Sequence, residues 1–399
     1  MRIPIRPSVT PRSAAPPEPV EADTVETPAE TAFTVRYLLW RALFWLLVAF
    51  GIQTLASLMP EVIETYYSQL AYYYLVRMLS SGNKLVSLSL GELLIAGFIV
   101  YYIGWTFWYL GRAFRREVNL LEIIKILILQ WAWLFTWAFA VFLLMWGLNY
   151  QRMPIEDRIP DLERRGEGRE EIISVGSRII DGINRNFTTS DAASATGQSK
   201  MTMSLPRLYQ VIESGFQLES MLGKDSQGGF GNPKPLIFSR VATWLDIRAV
   251  YLPYTGEATY NDSVQDPDLP FTIAHVKAHQ RGYAREDEAN FIAFVVCIKS
   301  PEPYVRYSGY LHGLQVLDFL AKSDAQTAAD LRSRIFPLAA ADVNARDAYW
   351  AKSKSQTASP IAEAMIKIYL RANRVRGGLK NFSEDTPLIV NYMLKNPDR

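Results

Sequence analysis

Three stretches of this chain carry no charged residue at all: Ala42 to Met59, Leu93 to Gly111 and Ile126 to Gln151. About 20 apolar residues in a helix cross the roughly 30 Å hydrocarbon layer of a bilayer. Few helices of soluble proteins stay uncharged for so long. The runs are also thick with aromatic side chains, as in WAWLFTWAFAVFLLMWGLNY, and these favour membrane interfaces. They are therefore read as transmembrane helices at about 38–59, 93–111 and 126–148, inside a membrane region of residues 34–150. Their partner is the lipid bilayer.

The flanking charges set the expected orientation. Arg36 and Arg41 precede the first run, and Arg112, Arg115, Arg116 and Lys125 lie between the second and third. The loop from Pro60 to Glu92 has only Arg77 and Lys84, offset by three glutamates. The positive-inside rule places the N-terminus in the cytoplasm, and that loop and everything after Tyr150 outside. Within the loop, YYSQLAYYYLVRML reads either as an interfacial helix or as a plain packed one. Residues 1–33, rich in Pro, Ala, Glu and Thr, have little to bury and are expected to be disordered.

Residues 151–399 read as a soluble, mainly helical domain with a short β element. Helical spacing runs over Glu170 to Ile183 and Leu205 to Leu222. TTSDAASATGQSKMT reads as a loop, and KDSQGGFGNPKP is turn-rich. IRAVYLPYTGEATYN suggests two strands around a Thr-Gly turn. Helical patterns resume at Phe271, broken at Gly282, Ser300-Pro301, Ser359-Pro360 and Gly377-Gly378. A net charge of +2 gives no electrostatic case for nucleic acid. The single cysteine, Cys297, excludes an intrachain disulfide and a cysteine-based zinc cluster, and its apolar surroundings make it a small buried hydrophobe.

Chemistry concentrates in FTIAHVKAHQRGYAREDEANF, residues 271–291. His275 and His279, two of the three histidines of the chain, stand four residues apart and share one helix face. This is the spacing of the H-E-x-x-H zinc motif, with Val276 in the position of the general base. Pro270 can open the helix and Gly282 can end it. A second helix then carries Glu286, Asn290, Ala293 and Cys297 along one stripe, and a turn at Gly282 folds Glu286 back toward the imidazoles. Two His and one carboxylate with a fourth position open is the ligand set of a catalytic zinc site. Glu288 competes with Glu286 for the third place. Asn290, one turn on from Glu286, favours Glu286 by offering it outer support. The competing reading is a solvated polar face without metal.

WGLNYQR at 146–152, YLPYTGEATYN at 251–261, the 270–294 segment and RYSGYL at 306–311 resemble an uncharacterised family of bacterial membrane proteins, catalogued as domain of unknown function thirty-eight-ten. The likeness runs from about the first apolar run almost to the C-terminus. The family's own pattern resembles zinc metallopeptidases of the gluzincin kind, with H-E-x-x-H followed by a downstream Glu in an E-x-x-A-D/N setting. Glu286, Asp287, Glu288, Ala289 and Asn290 match that second element. The resemblance implies a zincin-like α+β domain on the outer face of the bacterial cytoplasmic membrane. A peptide or an envelope protein would then be its partner.

One departure decides what activity to expect. Valine cannot accept a proton from water, and loss of a general base costs about 10²–10⁴ in rate. Glu257 is the best substitute carboxylate, although a strand-turn role suits it better. His312 is a candidate for orienting substrate or stabilising an oxyanion. Tyr254, Tyr283, Tyr307 and Tyr310 offer hydroxyls, and Arg281 and Arg306 either bind a peptide carboxylate or pair with Asp287 or Glu302. Three readings follow: a weakly active or inactive metallopeptidase-like protein holding Zn²⁺, a pseudopeptidase that binds without cutting, and a structural membrane protein with no metal.

Overall fold

The computed structural model describes residues 28–115, 119–160, 162, 168–187, 199–219, 221–223, 227, 229–375 and 385–397. Most of the expected tail, the core of the 188–202 polar loop and the Gly377-Gly378 break lie outside them. Three helices are long and apolar enough to cross a membrane: Phe33–Leu58, Leu90–Arg112 and Leu120–Met145. The first belongs to a longer helix that opens at Pro28, so the helix begins within the segment expected to be disordered. Proline suits a first helical position, and the Ala-Glu-Thr-Ala that follows continues the turn.

The third apolar helix starts six residues ahead of the expected 126. Asn119 caps it by accepting from the Leu121 N–H, and Glu122 pairs with Lys125 in the first turn. It ends at Met145, where the chain tightens into a 3₁₀ turn, Gly147–Gln151. The first and third helices pack closely along their length. The second stands apart, with 6% of its apolar window buried against 28% for the third.

The segment between the first two apolar helices is helical, with one side packed on the domain and Tyr66, Leu70, Tyr74 and Met78 exposed on another. It runs from Pro60 through a π-helical stretch, Ile63–Tyr72, to Asn83. Glu64, Ser68 and Tyr72 fall on one buried face of this stretch. Ser68 Oγ donates to Asn149 Oδ1 at 2.8 Å, and the Tyr72 hydroxyl donates to the Gln280 carbonyl at 2.9 Å. Wider π turns mark functional sites more often than ordinary helix does.

The domain that follows is built around the Glu286–Ile298 helix, whose residues from Asp287 onward are all buried. A helix buried on every side is a core element rather than an amphipathic surface one. Arg169–Asn186, Leu205–Leu218, Leu269–Gln280, Pro303–Gly313 and Thr386–Lys395 surround it with Ile, Val, Leu and Phe. The expected two strands form as β2 (Ala249–Leu252) and β3 (Glu257–Tyr260), antiparallel with Val250 opposite Thr259. Gly256 turns the hairpin at φ +67°. A third strand not foreseen, β1 (Lys234–Pro235), pairs parallel to β3. The Ser359-Pro360 break proves to be the start of a helix, Ala358–Ala372.

Candidate metal centre

The histidine helix, Leu269–Gln280, carries Pro270 in its first turn and ends in a Schellman motif. Gly282 N–H bonds to the His279 carbonyl and Tyr283 N–H to that of Ala278. Gly282 has φ +82°, and a Cβ there would lie 2.9 Å from Asn149 Oδ1, so both conformation and space demand glycine. This turn reverses the chain and lays the start of the Glu286 helix against the two imidazoles.

His275 Nε2 and His279 Nε2 are 3.1 Å apart, and Glu286 Oε2 lies 3.4 Å from the first and 3.5 Å from the second. Ligand atoms that hold zinc tetrahedrally at 2.0–2.1 Å stand about 3.3 Å from one another. The three donors are therefore spaced as a zinc ion requires, and their chemistry is that of zinc ligands. His279 Nδ1 donates to the Tyr283 carbonyl at 2.8 Å, which leaves the Nε2 lone pair directed at the cluster. Asn290 lies against His275 and favours its charged form, although no hydrogen bond of normal geometry reaches the buried His275 Nδ1.

Burial, followed by the charge on His279, drives the His275 imidazole down to about 3. Burial opposes charge on His279 too, but the Glu286 carboxylate outweighs it and lifts this imidazole above its ordinary value. Glu286 in turn is held below the carboxylate range, because His279 and then His275 overcome its burial.

The other sequence candidates separate clearly. Glu288 faces away: it accepts from Ile155 N–H and pairs with Arg285 and Arg158. Glu257 is not brought to the cluster either. It pairs with Lys234 at 2.6 Å and accepts from the N–H groups of Leu90 and Gly91 at the start of the second apolar helix. Val276 is fully buried in an aromatic wall that includes Tyr72, Trp146 and Tyr251. His312 sits one ring away, stacked on Phe271 at 3.8 Å, with Phe271 6.4 Å from His275. Its Nε2 lies 3.0 Å from Asp385 Oδ2. Arg281 binds Glu213, and Arg306 binds Asn186 and the carbonyls of Ser300 and Pro301. Tyr254 donates to the Ala138 carbonyl and Tyr307 to Asp342. Tyr283 serves through its carbonyl, and the Tyr310 ring packs edge-on to Phe294 in the core.

Sequence reasoning missed the residues that come from the membrane side. Trp146 Nε1 donates to the His279 carbonyl at 3.2 Å. The Tyr150 hydroxyl donates to that of Tyr369 at 3.1 Å. Burial, each other's proximity or hydrogen bonding, and the charge of Glu286 are among what shifts both tyrosines, and both end above their ordinary range. Arg152 grips Glu64 through Nε at 2.8 Å and Nη2 at 2.7 Å, and donates to the Gly282 carbonyl at 3.1 Å. WGLNYQR contains Trp146, Asn149, Tyr150 and Arg152 together, and that run of polar and aromatic residues directly after an apolar helix was the available signal.

No curated protein and no solved structure matches the chain. A family model does match, over residues 67–390, from the π-helical stretch through both halves of the histidine cluster to the final helix. The chain belongs to the family described as Protein of unknown function (DUF3810).

Proposed function

We propose that this chain is a membrane-anchored, zinc-binding protein of metallopeptidase type whose power to hydrolyse peptides is weak or lost. The approach of His275, His279 and Glu286 to zinc-ligand spacing carries this reading. Zinc held there supplies Lewis acidity at an open fourth position. The Tyr283 carbonyl fixes one imidazole, and Trp146 and Arg152 hold the backbone around it. The zincin-like character rests on the same elements: a His pair on one helix, a Glu on the next, and a small sheet beside them.

Val276 favours a second form of the reading, a pseudopeptidase that binds a peptide or envelope partner without cutting it. The side chain fills the aromatic wall and brings no proton acceptor. The basic residues around the apolar helices support a cytoplasmic N-terminus and an outer domain at the bacterial inner membrane.

The test is the metal content of detergent-purified protein beside His279→Ala. About one zinc per chain, lost in the variant, supports the site. No zinc after reconstitution leaves a structural membrane protein. Val276→Glu then separates the two forms. A gain of about 10²–10⁴ in peptide hydrolysis marks an enzyme that has lost its base. A zinc-loaded variant that cleaves nothing in a broad peptide library marks a binding scaffold.

A further inference from the structure

The Ala358–Ala372 helix has three distinct sides. Ala362 and Leu370 are buried, with Asn373 continuing that side just past the helix end. Glu363 and Lys367 pair on a second side at 2.7 Å, in the open. Ile361, Met365 and Ile368 occupy a third side and are 58%, 66% and 66% exposed. At 100° per residue these three fall within about 60° of arc, well away from both other sides. Three large apolar side chains in a row facing nothing are unusual on a soluble domain.

The attachments of this helix say what covers them. At its C-terminal end Gln53 donates to the Ala372 carbonyl, and Arg374 reaches Ser57 Oγ at 2.7 Å and Thr54 Oγ1 at 2.8 Å. All three belong to the last turns of the first apolar helix. Arg374 also lies over Phe50, which is 62% exposed on that helix. In its last turn, Tyr369 packs on Phe142 in the last turn of the third apolar helix. Just before its N-terminal end, Ser355 N–H bonds to the Trp244 carbonyl. The Ser239–Trp244 helix begins where Glu92, in the first turn of the second apolar helix, accepts from the N–H groups of Ile237 and Phe238. Val241 and Trp244, 45% and 51% exposed, extend the apolar surface in that direction.

A helix of 15 residues, about 22 Å long, is thus tied to the domain-side ends of the first and third apolar helices, and through Ser355 and the Ser239–Trp244 helix to the start of the second. In the proposed orientation all three ends face the outer surface of the membrane. We propose that Ala358–Ala372 is an interfacial helix, lying across the bilayer surface with Ile361, Met365 and Ile368 among the lipid. Just past its end, Arg374 lies over Phe50 on the exposed side of the first apolar helix. Its polar side, with Glu363, Lys367 and Arg371, turns to water, as an interfacial helix requires. Through Tyr369, whose hydroxyl meets that of Tyr150, the helix is joined to the turn whose Trp146 holds the His279 carbonyl, which would bring the edge of the candidate metal centre toward the membrane surface. The inference rests on the membrane half of the reading above and is independent of the metal.

Full-length protein in lipid nanodiscs tests it by spin labelling. Cys297 is buried, so single cysteines introduced by Ile361→Cys, Met365→Cys, Ile368→Cys, Glu363→Cys and Lys367→Cys can be labelled one at a time. Leu47→Cys, at a position 62% exposed on the first apolar helix, serves as the reference. The readout is relaxation by oxygen, which enters lipid, against a water-soluble nickel chelate. The expected ratio of oxygen to nickel effect is severalfold higher at 361, 365 and 368 than at 363 and 367, and approaches that at 47. Nickel-dominated relaxation at all five helix sites, with oxygen dominating at 47, overturns the proposal alone. Shielding of 361, 365 and 368 from both reagents also overturns it, and points to a protein partner or a second copy. Nickel dominance at 47 as well overturns the membrane reading itself.

Discussion

Two buried charge clusters flank the turn at Gly282, and they are built on opposite terms. On one side Glu64 and Glu288 meet Arg152, Arg158 and Arg285, and each of the four carboxylate oxygens has a guanidinium or backbone partner. On the other side three candidate ligand atoms converge on each other, with two imidazoles in contact and a buried ring nitrogen lacking a normal hydrogen bond. A complete cluster holds elements together. In a converging one Glu286 favours charge on His279, while burial and the repulsion between the imidazoles work against charging His275 as well. The difference suits the arginine clasp to structural work and, in the proposed function, the histidines to holding a ligand.

The sharpest way to break the comparison is Arg152→Met. It strands the Glu64 carboxylate in the interior and is expected to cost about 3–5 kcal/mol, read from denaturant unfolding with or without zinc. An unchanged midpoint would remove the structural role of the clasp. Acid gives a related effect. Burial opposes the charge of Glu64, but Arg152 and Arg158 hold its carboxyl at about 2 against an ordinary 4.5. A depressed carboxylate stabilises the fold above the ordinary value and loses that contribution as pH falls through the folded one. Stability on the order of 3 kcal/mol should therefore fade between about pH 4.5 and 2, and Glu64→Gln should flatten the slope in that window.

Gly282→Ala ranks next, at about 2 kcal/mol, because alanine resists φ +82° and meets Asn149. It should also weaken zinc retention under dialysis, since the Tyr283 carbonyl that orients His279 would move with the turn. His275→Gln should have the smallest effect on the fold, within about 1 kcal/mol in chelated protein. Its zinc content should nonetheless drop to none, the opposite of the pattern expected for Arg152→Met. A large loss of stability in chelated His275→Gln would mean that the histidines are structural after all.

Local features of this molecule were legible in the sequence. Uncharged runs located the three apolar helices to within six residues, except that the first opens ten residues early at Pro28, and the four-residue His spacing with glycine beyond it foretold the turn and the return of Glu286. The hairpin was legible for the same reason, since Thr-Gly interrupts an alternating pattern. What escaped was non-local. Glu64 meets Arg152 across 88 positions, and Tyr150 meets Tyr369 across 219. No periodicity encodes such pairs. Glu257 shows the same limit from the other direction: its neighbours in sequence suggested a turn, and its partners proved to be a lysine and a helix start.

That helix start is where the second apolar helix is gripped. Glu257, on β3, holds its first N–H groups, and Glu92, in its own first turn, holds the backbone of Ile237 and Phe238 in return. Along the rest of its length it touches little protein. A rod clamped at one end and immersed in lipid is a lever. Bilayers of different thickness change the tilt of such a rod. In the proposed membrane setting the clamp would carry a change of tilt to the hairpin, and the Gly256 carbonyl, which accepts from Gln280 at the end of the histidine helix, would carry it on toward the three candidate ligand atoms.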